Sequence, residues 1–548
     1  MTYRITVLAA ALIAAHPAWT QQQPDAGQVL QQTRPPTLPA PRPTPEVSVQ
    51  APPETTALHD GASVTLTRVK FSGNTVFSEA ELRSVLGEVK DSHYDLAGLQ
   101  GLARRITEHY RAAGYPFARA VIPAQRVADG VLLIEIIEGR YGKVAARGDL
   151  AEAADGYLAH LAPGAVIESS SLDRALLILA DQPGVKVAPI LRPGRDAGTG
   201  DLVVEVSRER MVKGEAGADN YGNRYTGQYR TKAVIQSDSP FMLGDQFRLQ
   251  LLYTDEDLWL GSLSYGMPLK KSGLRARLDY SHTYYELGKD FADLKAHGTA
   301  KVASLGLSYP LIRSRNINLV VGLAYQTKDL ADRQDAVSVR NTKRSDLIPV
   351  TLQFDRRDTW GMTYGQAVYT VGRLKLDAAL TAADIASNTG TRGNFGKWNF
   401  DIARLNSTPI ANLTLFGRAS LQWAGGNLDS SESFILGGAR GVRAYPEGEG
   451  NGDEGWFVQI EGRYRVGSAE PYLFFDAGSV KINADPARII PAITDNTRSI
   501  AGAGLGLRYA DRGWNVDAAL AWRTKGGAPE SDTRDDKPWL SVSGGYRF

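Results

Sequence analysis

The stretch "GGARGVRAYPEGEG", Gly437 to Gly450, sets Arg443 between Val442 and the pair Ala444–Tyr445, in a run too rich in glycine and proline for a regular strand or helix. A guanidinium is a rigid fork of donors that can grip a carboxylate at two points, fixing orientation as well as position. Downstream, "PYLFFDAGSV" spaces Phe474, Asp476 and Gly478 by two, so all three share one face of a strand. Residue types that could do catalysis are arranged less well. "DYSHTYY" brings Asp279, Ser281 and His282 together, but alternation sends His282 to the face of Tyr280 and Tyr284 and the other two to the opposite face. Catalytic groups need mutual hydrogen-bond geometry on one face. The remaining histidines, His16, His59, His93, His109, His160 and His297, lack metal-ligand spacing, and His109 reads as a helix-surface residue. There are no cysteines, which removes disulfides and thiolate chemistry, and no phosphate-binding GxxxxGK[ST] run. The expectation is no catalytic residue, no cofactor and no metal.

Elements must therefore hold Arg443 and Asp476 for some other purpose. The chain has 548 residues and a net charge of +2, which argues against a nucleic-acid partner. Arg4 followed by the apolar run Ile5 to Ala15 and a small-residue exit near Thr20 reads as a secretory signal over residues 1–20; the competing reading, an anchor helix, needs a longer run. Residues 21–62 are rich in Gln and Pro and read as a tether, in which "PDAGQVLQQ" suits about two turns of helix. Two similar α+β modules follow, 63–140 and 141–210, each a strand, two helices and two strands. In the first, Ser78 and Glu81 form a capping box, Phe77 and Leu82 a staple, and Leu96, Leu99, Leu102, Ile106 and Tyr110 one helical stripe. "TLTRVKFSG" and "ARAVIPAQRV" read as two of its strands. Duplication of such a module suggests binding rather than an active site.

From 211 to 548 helical stripes vanish, and segments of about ten residues alternate polar and apolar. In "GLRARLDYSHTYY", Leu274, Ala276, Leu278 and Tyr280 point one way and Arg275, Arg277 and Asp279 the other; Trp514, Val516, Ala518, Leu520 and Trp522 share a face in the same manner. Apolar outside and charged inside is what lipid outside and water inside demand. About sixteen such segments make the fold class mostly β: a sixteen-stranded transmembrane antiparallel barrel with a water-filled lumen, after two α+β modules. The terminal strand "WLSVSGGYRF" ends on Phe548. An even count returns both ends to the periplasmic side. The Arg443 stretch then lies in the sixth extracellular loop, between strands eleven and twelve. Asp476 faces the lumen from strand thirteen, with Leu473, Phe475 and Ala477 outward. Glu461 faces the lumen from strand twelve.

The chain resembles the outer-membrane component of two-partner secretion, the TpsB transporters of haemagglutinins and haemolysins, over nearly its whole length: tether, two POTRA modules ("VKFSGNTVF" typifies the first) and sixteen-stranded barrel. In that superfamily a Val-Arg-Gly-Tyr/Phe motif at the tip of the sixth loop folds back into the pore, where its arginine pairs with the aspartate of a Phe-x-Asp-x-Gly wall motif. Val442, Arg443 and Tyr445 match the first motif, and Phe474, Asp476 and Gly478 the second. The resemblance thus implies a clasp of Arg443 on Asp476; Glu461, lumen-facing by parity, is an alternative partner. Ala444 stands where the family has glycine, and a positive φ there would strain an alanine. Gly437, Gly438 and Gly441 would let the loop reverse inside the barrel, and Gly478 would leave room for its tip.

The resemblance further implies an outer-membrane location with the modules in the periplasm. It implies a secreted TpsA-type partner (adhesin, haemolysin or contact-dependent toxin), contact with outer-membrane lipid, and delivery by the barrel-assembly machinery through Phe548. The tether helix would plug the resting pore. The alternative is a factor that inserts other barrels, although such relatives carry more POTRA modules and no proline-rich tether. A diffusion porin would leave the modules idle.

Overall fold

Alternation of apolar and polar residues builds a closed antiparallel barrel of sixteen strands, from Val212–Asp219 to Trp539–Arg547, in a computed structural model that describes residues 23–34, 48–49 and 63–548. The signal reading at 1–20 and most of the tether lie outside the described residues. Every neighbouring pair is antiparallel, and the barrel closes where Glu215–Asp219 meets Ser543–Arg547. Phe548 extends this seam, exchanging backbone hydrogen bonds of 3.0 Å with Gly214 in both directions.

The outward residues are those that alternation assigned to lipid. Leu278, Tyr280, Leu473, Phe475, Trp514, Val516, Trp522, Leu540 and Phe548 are all exposed. Aromatics collect at two levels: Tyr253, Trp259, Trp423 and Trp456 at the extracellular ends of strands, and Phe241, Trp360, Tyr464 and Tyr546 at the periplasmic ends. Two such girdles are expected where a barrel crosses both membrane interfaces. Among the described residues no helix is long and apolar enough to cross a membrane. One helix interrupts the barrel region against expectation. Ala378–Ser387 forms in the fifth extracellular loop, started by the Asp377 side chain accepting from Leu380 N and ended by Asn388 at φ 50°.

The first module has the capping box at Ser78 and Glu81 and buries Leu82, Leu99, Leu102, Ile106 and Tyr110; Leu96 is exposed. Its first strand is not continuous. Val64–Leu66 pairs with Ser92–Tyr94, and Arg68–Ser72 runs parallel to Val131–Ile137, because Thr67 N turns aside to Gly130 O. The strand expected over "ARAVIPAQRV" is only Arg119–Val121; Pro123, just beyond, has no N–H for a ladder. His109 is half-buried rather than on the helix surface, its ring 4.7 Å from that of Phe77. Glu138 lies at the junction of the modules and accepts from Thr75 N (2.6 Å), Val76 N (2.8 Å), Tyr110 Oη (3.1 Å) and Arg140 Nη2 (2.9 Å). Burial alone would raise its carboxyl, but these bonds outweigh it and hold Glu138 below the usual carboxylate range.

The second module stacks Ala151–Leu158 and Ser169–Ala180 on a sheet ordered 48–49, 185–193, 199–208, 140–147. The outermost piece is part of the tether, Ser48–Val49, parallel to Ile190–Leu191. This module docks on the periplasmic rim: Arg313 grips Asp181 at two points (both 2.8 Å), and Arg315 Nε reaches Asp173 at 2.9 Å.

Candidate gating site in the barrel lumen

The sixth loop leaves the eleventh barrel strand (Leu413–Ala424) and re-enters at the twelfth (Glu454–Tyr464). Between them the chain folds on itself. Phe434–Ile435 pairs with Asn451–Gly452, Val442 N donates to Leu436 O at 2.8 Å, and Tyr445 N closes a turn on Val442 O at 3.1 Å. Gly438, at φ +104°, adopts the left-handed conformation that this reversal needs. The tip is fully inside: Val442, Ala444 and Tyr445 are buried, and Arg443 is 4% exposed.

Arg443 meets the wall through four hydrogen bonds. Nε and Nη2 donate to the two oxygens of Asp476 at 2.7 and 2.8 Å, the backbone N–H adds a bond of 3.2 Å, and Nη1 donates to Glu461 at 2.6 Å. Its guanidinium stacks 3.5 Å from the Phe474 ring centre. Alternation on two adjacent strands sets this geometry, since Glu461 and Phe474 are direct cross-strand partners and Asp476 lies opposite Gln459. Both carboxylates therefore hold the arginine at once. Glu461 is a second ligand rather than a rival.

Small residues make the fit. A Cβ at Gly478 would lie 2.2 Å from Leu436 of the loop, so the wall glycine accepts the base of the loop. Ala444 is not among the positive-φ residues, so its methyl carries no backbone strain there. That methyl sits 2.4 Å from where a Cβ would stand on Gly502, the cross-strand partner of Asp476. Glycine at 502 thus makes room for alanine at 444. Tyr445 Oη reaches the backbone oxygens of Lys525 and Gly527 at 2.7 and 3.0 Å, joining the tip to the last extracellular loop.

The cluster is larger than the motifs indicate. Arg463 Nε and Arg508 Nη1 donate to Glu461 Oε2 at 2.8 and 3.0 Å, and Arg508 Nε and Tyr472 Oη donate to Asp517 at 3.1 and 2.7 Å. The buried Arg443, Asp476 and Glu461 alone carry one positive and two negative charges, and the half-buried Arg463 and Arg508 supply further positive charge beside them. Arg463 shares the parity of Glu461, and Arg508 alternates with outward Leu507 and Tyr509, so strand periodicity held that signal.

A second segment occupies the lumen. The N-terminal helix, Ala26–Thr33, is capped by Asp25 and buries Ala26, Val29 and Leu30 against Tyr225 of the first extracellular loop and Tyr285, Ala300 and Leu330 of the wall. Asp25 accepts from Lys343 Nζ (2.8 Å) and Ser430 Oγ (2.7 Å), and Ala26 N donates to Asp332 at 2.8 Å. Gln31 donates to Ser431 O, and Arg440 to Arg34 O at 2.9 Å. Helix and sixth loop thus touch each other. The space left beside them is a cavity of about 660 Å³, lined by Arg34, Arg440, Arg443, Glu447 and Glu461 among others.

Ser281 and His282 do not meet as a catalytic pair: the His282 ring lies 4.9 Å from Trp259 on the lipid-facing side, and Asp279 accepts from Arg277 at 2.7 Å. Among the described residues no group of acids and histidines is arranged to hold a metal ion.

A lipid-facing barrel with an occupied charged lumen and tandem modules at its periplasmic rim defines an outer-membrane transporter. The model of the haemolysin secretion/activation proteins ShlB/FhaC/HecB matches residues 198–509, more than half of the chain, and a ShlB-type POTRA domain matches residues 64–139. The chain belongs to this family, the TpsB outer-membrane transporters of two-partner secretion, with POTRA modules in the periplasm. It is 24% identical over 547 residues to the heme/hemopexin transporter protein HuxB of Haemophilus influenzae (strain 86-028NP), covering 95% of this chain and 94% of that one. The outer membrane transporter CdiB of Escherichia coli O6:K15:H31 is 24% identical over 438 residues, 75% of this chain and 70% of that one. The solved structure of CdiB from Escherichia coli superposes with a TM-score of 0.72 at 19% identity, over 91% of this chain and 93% of that one. CdiB from Acinetobacter baumannii gives 0.66 at 17% identity, over 92% and 95%. These two structures share the fold.

Proposed function

We propose that this transporter captures an unfolded TpsA-type exoprotein in the periplasm and passes it outward through the lumen, with the sixth loop as a fixed strap and the N-terminal helix as a removable plug. The working division is a tether over 21–62, receptor modules over 63–140 and 141–210, and the pore over 211–548. Two carboxylates on one guanidinium, deep in the lumen, are the observation that carries this reading. Removing one partner of a buried pair costs about 3–5 kcal/mol, because a charge is left uncompensated. A strap so held resists displacement. The helix is eight residues long, a length marginal alone in water, and it brings only three apolar side chains, Ala26, Val29 and Leu30, to its apolar seat beside its polar anchors.

Capture by strand addition suits the second module, whose outer strand Val185–Pro193 is covered only by Ser48–Val49 among the described residues. Main-chain hydrogen bonds at such an edge give affinity without demanding one sequence. Arg443→Ala is expected to abolish export of a cognate exoprotein while the barrel still inserts. Arg443→Lys is expected to restore little, since an ammonium cannot bridge both carboxylates in the same plane. Normal export by Arg443→Ala would remove the strap's role.

A further inference from the structure

Where the second POTRA module meets the rim, a groove of about 590 Å³ opens between Leu150 and Ala153 of the module and two periplasmic turns of the barrel, 239–243 and 268–271. Its lining holds three cations, Arg208, Lys270 and Lys271, and no carboxylate. The cations are partly engaged: Arg208 Nη1 donates to Ser239 O at 3.0 Å, and Lys271 donates to Ala153 O at 3.2 Å with its ammonium 4.4 Å from the Tyr157 ring centre. Each retains donors beyond these bonds.

The groove also carries exposed apolar side chains. Phe241 is 79% exposed, and Met242 and Leu269 are exposed beside it. The Phe241 ring lies 6.2 Å from that of Tyr265, which shares its strand face with Leu263, a lipid-facing residue. The same alternation carries Leu269 to that side. The groove is thus continuous with the membrane-facing wall at the level of the periplasmic aromatic girdle, where phospholipid headgroups lie. A water-soluble partner gains nothing from an aromatic offered to the bilayer. An amphiphile with an anionic head matches both halves of the site.

We propose that this groove binds an anionic phospholipid of the periplasmic leaflet, its phosphate among Arg208, Lys270 and Lys271 and its acyl chains along Phe241 and Leu269. Such a lipid would fasten the receptor module to the membrane at the point where it meets the pore.

The test reconstitutes the full chain in bilayers of equal phosphatidylglycerol and phosphatidylcholine, releases it in mild detergent, and counts retained lipids by native mass spectrometry. Each cation near a membrane surface contributes on the order of a fivefold preference. With three such cations, retained phosphatidylglycerol is therefore expected to exceed phosphatidylcholine by on the order of a hundredfold. The triple variant R208Q/K270Q/K271Q is expected to bring the ratio close to one while keeping the heat-modifiable mobility of a folded barrel. If the triple variant does not insert, K270Q alone is expected to cut the ratio by about fivefold. Equal retention of the two lipids by the unaltered chain, or a preference unmoved by these substitutions, overturns the assignment.

Discussion

The two segments inside the lumen are held in different ways. The sixth-loop tip is fixed by a guanidinium shared between Asp476 and Glu461, a ring stacked on it, and glycines at 478 and 502 cut to its shape. It is tied to the barrel at both ends. The N-terminal helix is oriented by side-chain contacts from Lys343, Asp332 and Ser430, by Gln31 on Ser431 O and by Arg440 on Arg34 O. Its apolar contribution is three side chains, Ala26, Val29 and Leu30. This difference is what the proposed division of a strap that stays and a plug that leaves requires.

Deleting residues 23–34 should break the comparison most visibly. Channel conductance in planar bilayers is expected to rise severalfold while export persists, because the strap remains clasped. Arg443→Ala should do the reverse: export is lost, and conductance stays near that of the unaltered chain because the helix still fills the lumen. Equal phenotypes would mean that the two segments act as one plug.

A smaller effect is expected where the modules join. Glu138 has its carboxyl held below its ordinary value of 4.5, so its contribution is present above that pH and is lost as pH falls through the depressed folded value. Protection of the amides of Thr75 and Val76, taken as exchange relative to the intrinsic rate at each pH, should therefore fall as the pH drops through that depressed value. Glu138→Gln should make that exchange faster at neutral pH and flatten its dependence on acid. An unchanged acid profile in the variant would move the effect to another group.

Alternation made the barrel legible because lipid and water impose opposite demands on successive residues; Leu473, Phe475, Asp476 and Glu461 could each be assigned a side without coordinates. Local signals also sufficed for Ser78 and Glu81, which cap a helix through neighbours three apart. Contacts between distant segments were not legible in that way. Arg508 meets Glu461 across 47 positions, and nothing local marks that partnership. The compensation of Ala444 by Gly502 likewise needs the strand register. The loop helix Ala378–Ser387 did leave local marks, Asp377 before an alanine-rich run and Asn388 after it, but a region dominated by a period of two hid them. The pairing of Ser48–Val49 with the second module is a backbone event that side-chain pattern does not encode.

The most direct test uses the absence of native cysteine. In the double variant Asp25→Cys, Ser430→Cys, two side chains that now meet at 2.7 Å would be joined by a disulfide, pinning the helix to the strap. Export is predicted to stop in the oxidised protein and to return on reduction, with the barrel intact throughout. Export at the full rate with the cross-link formed would contradict a plug that must leave.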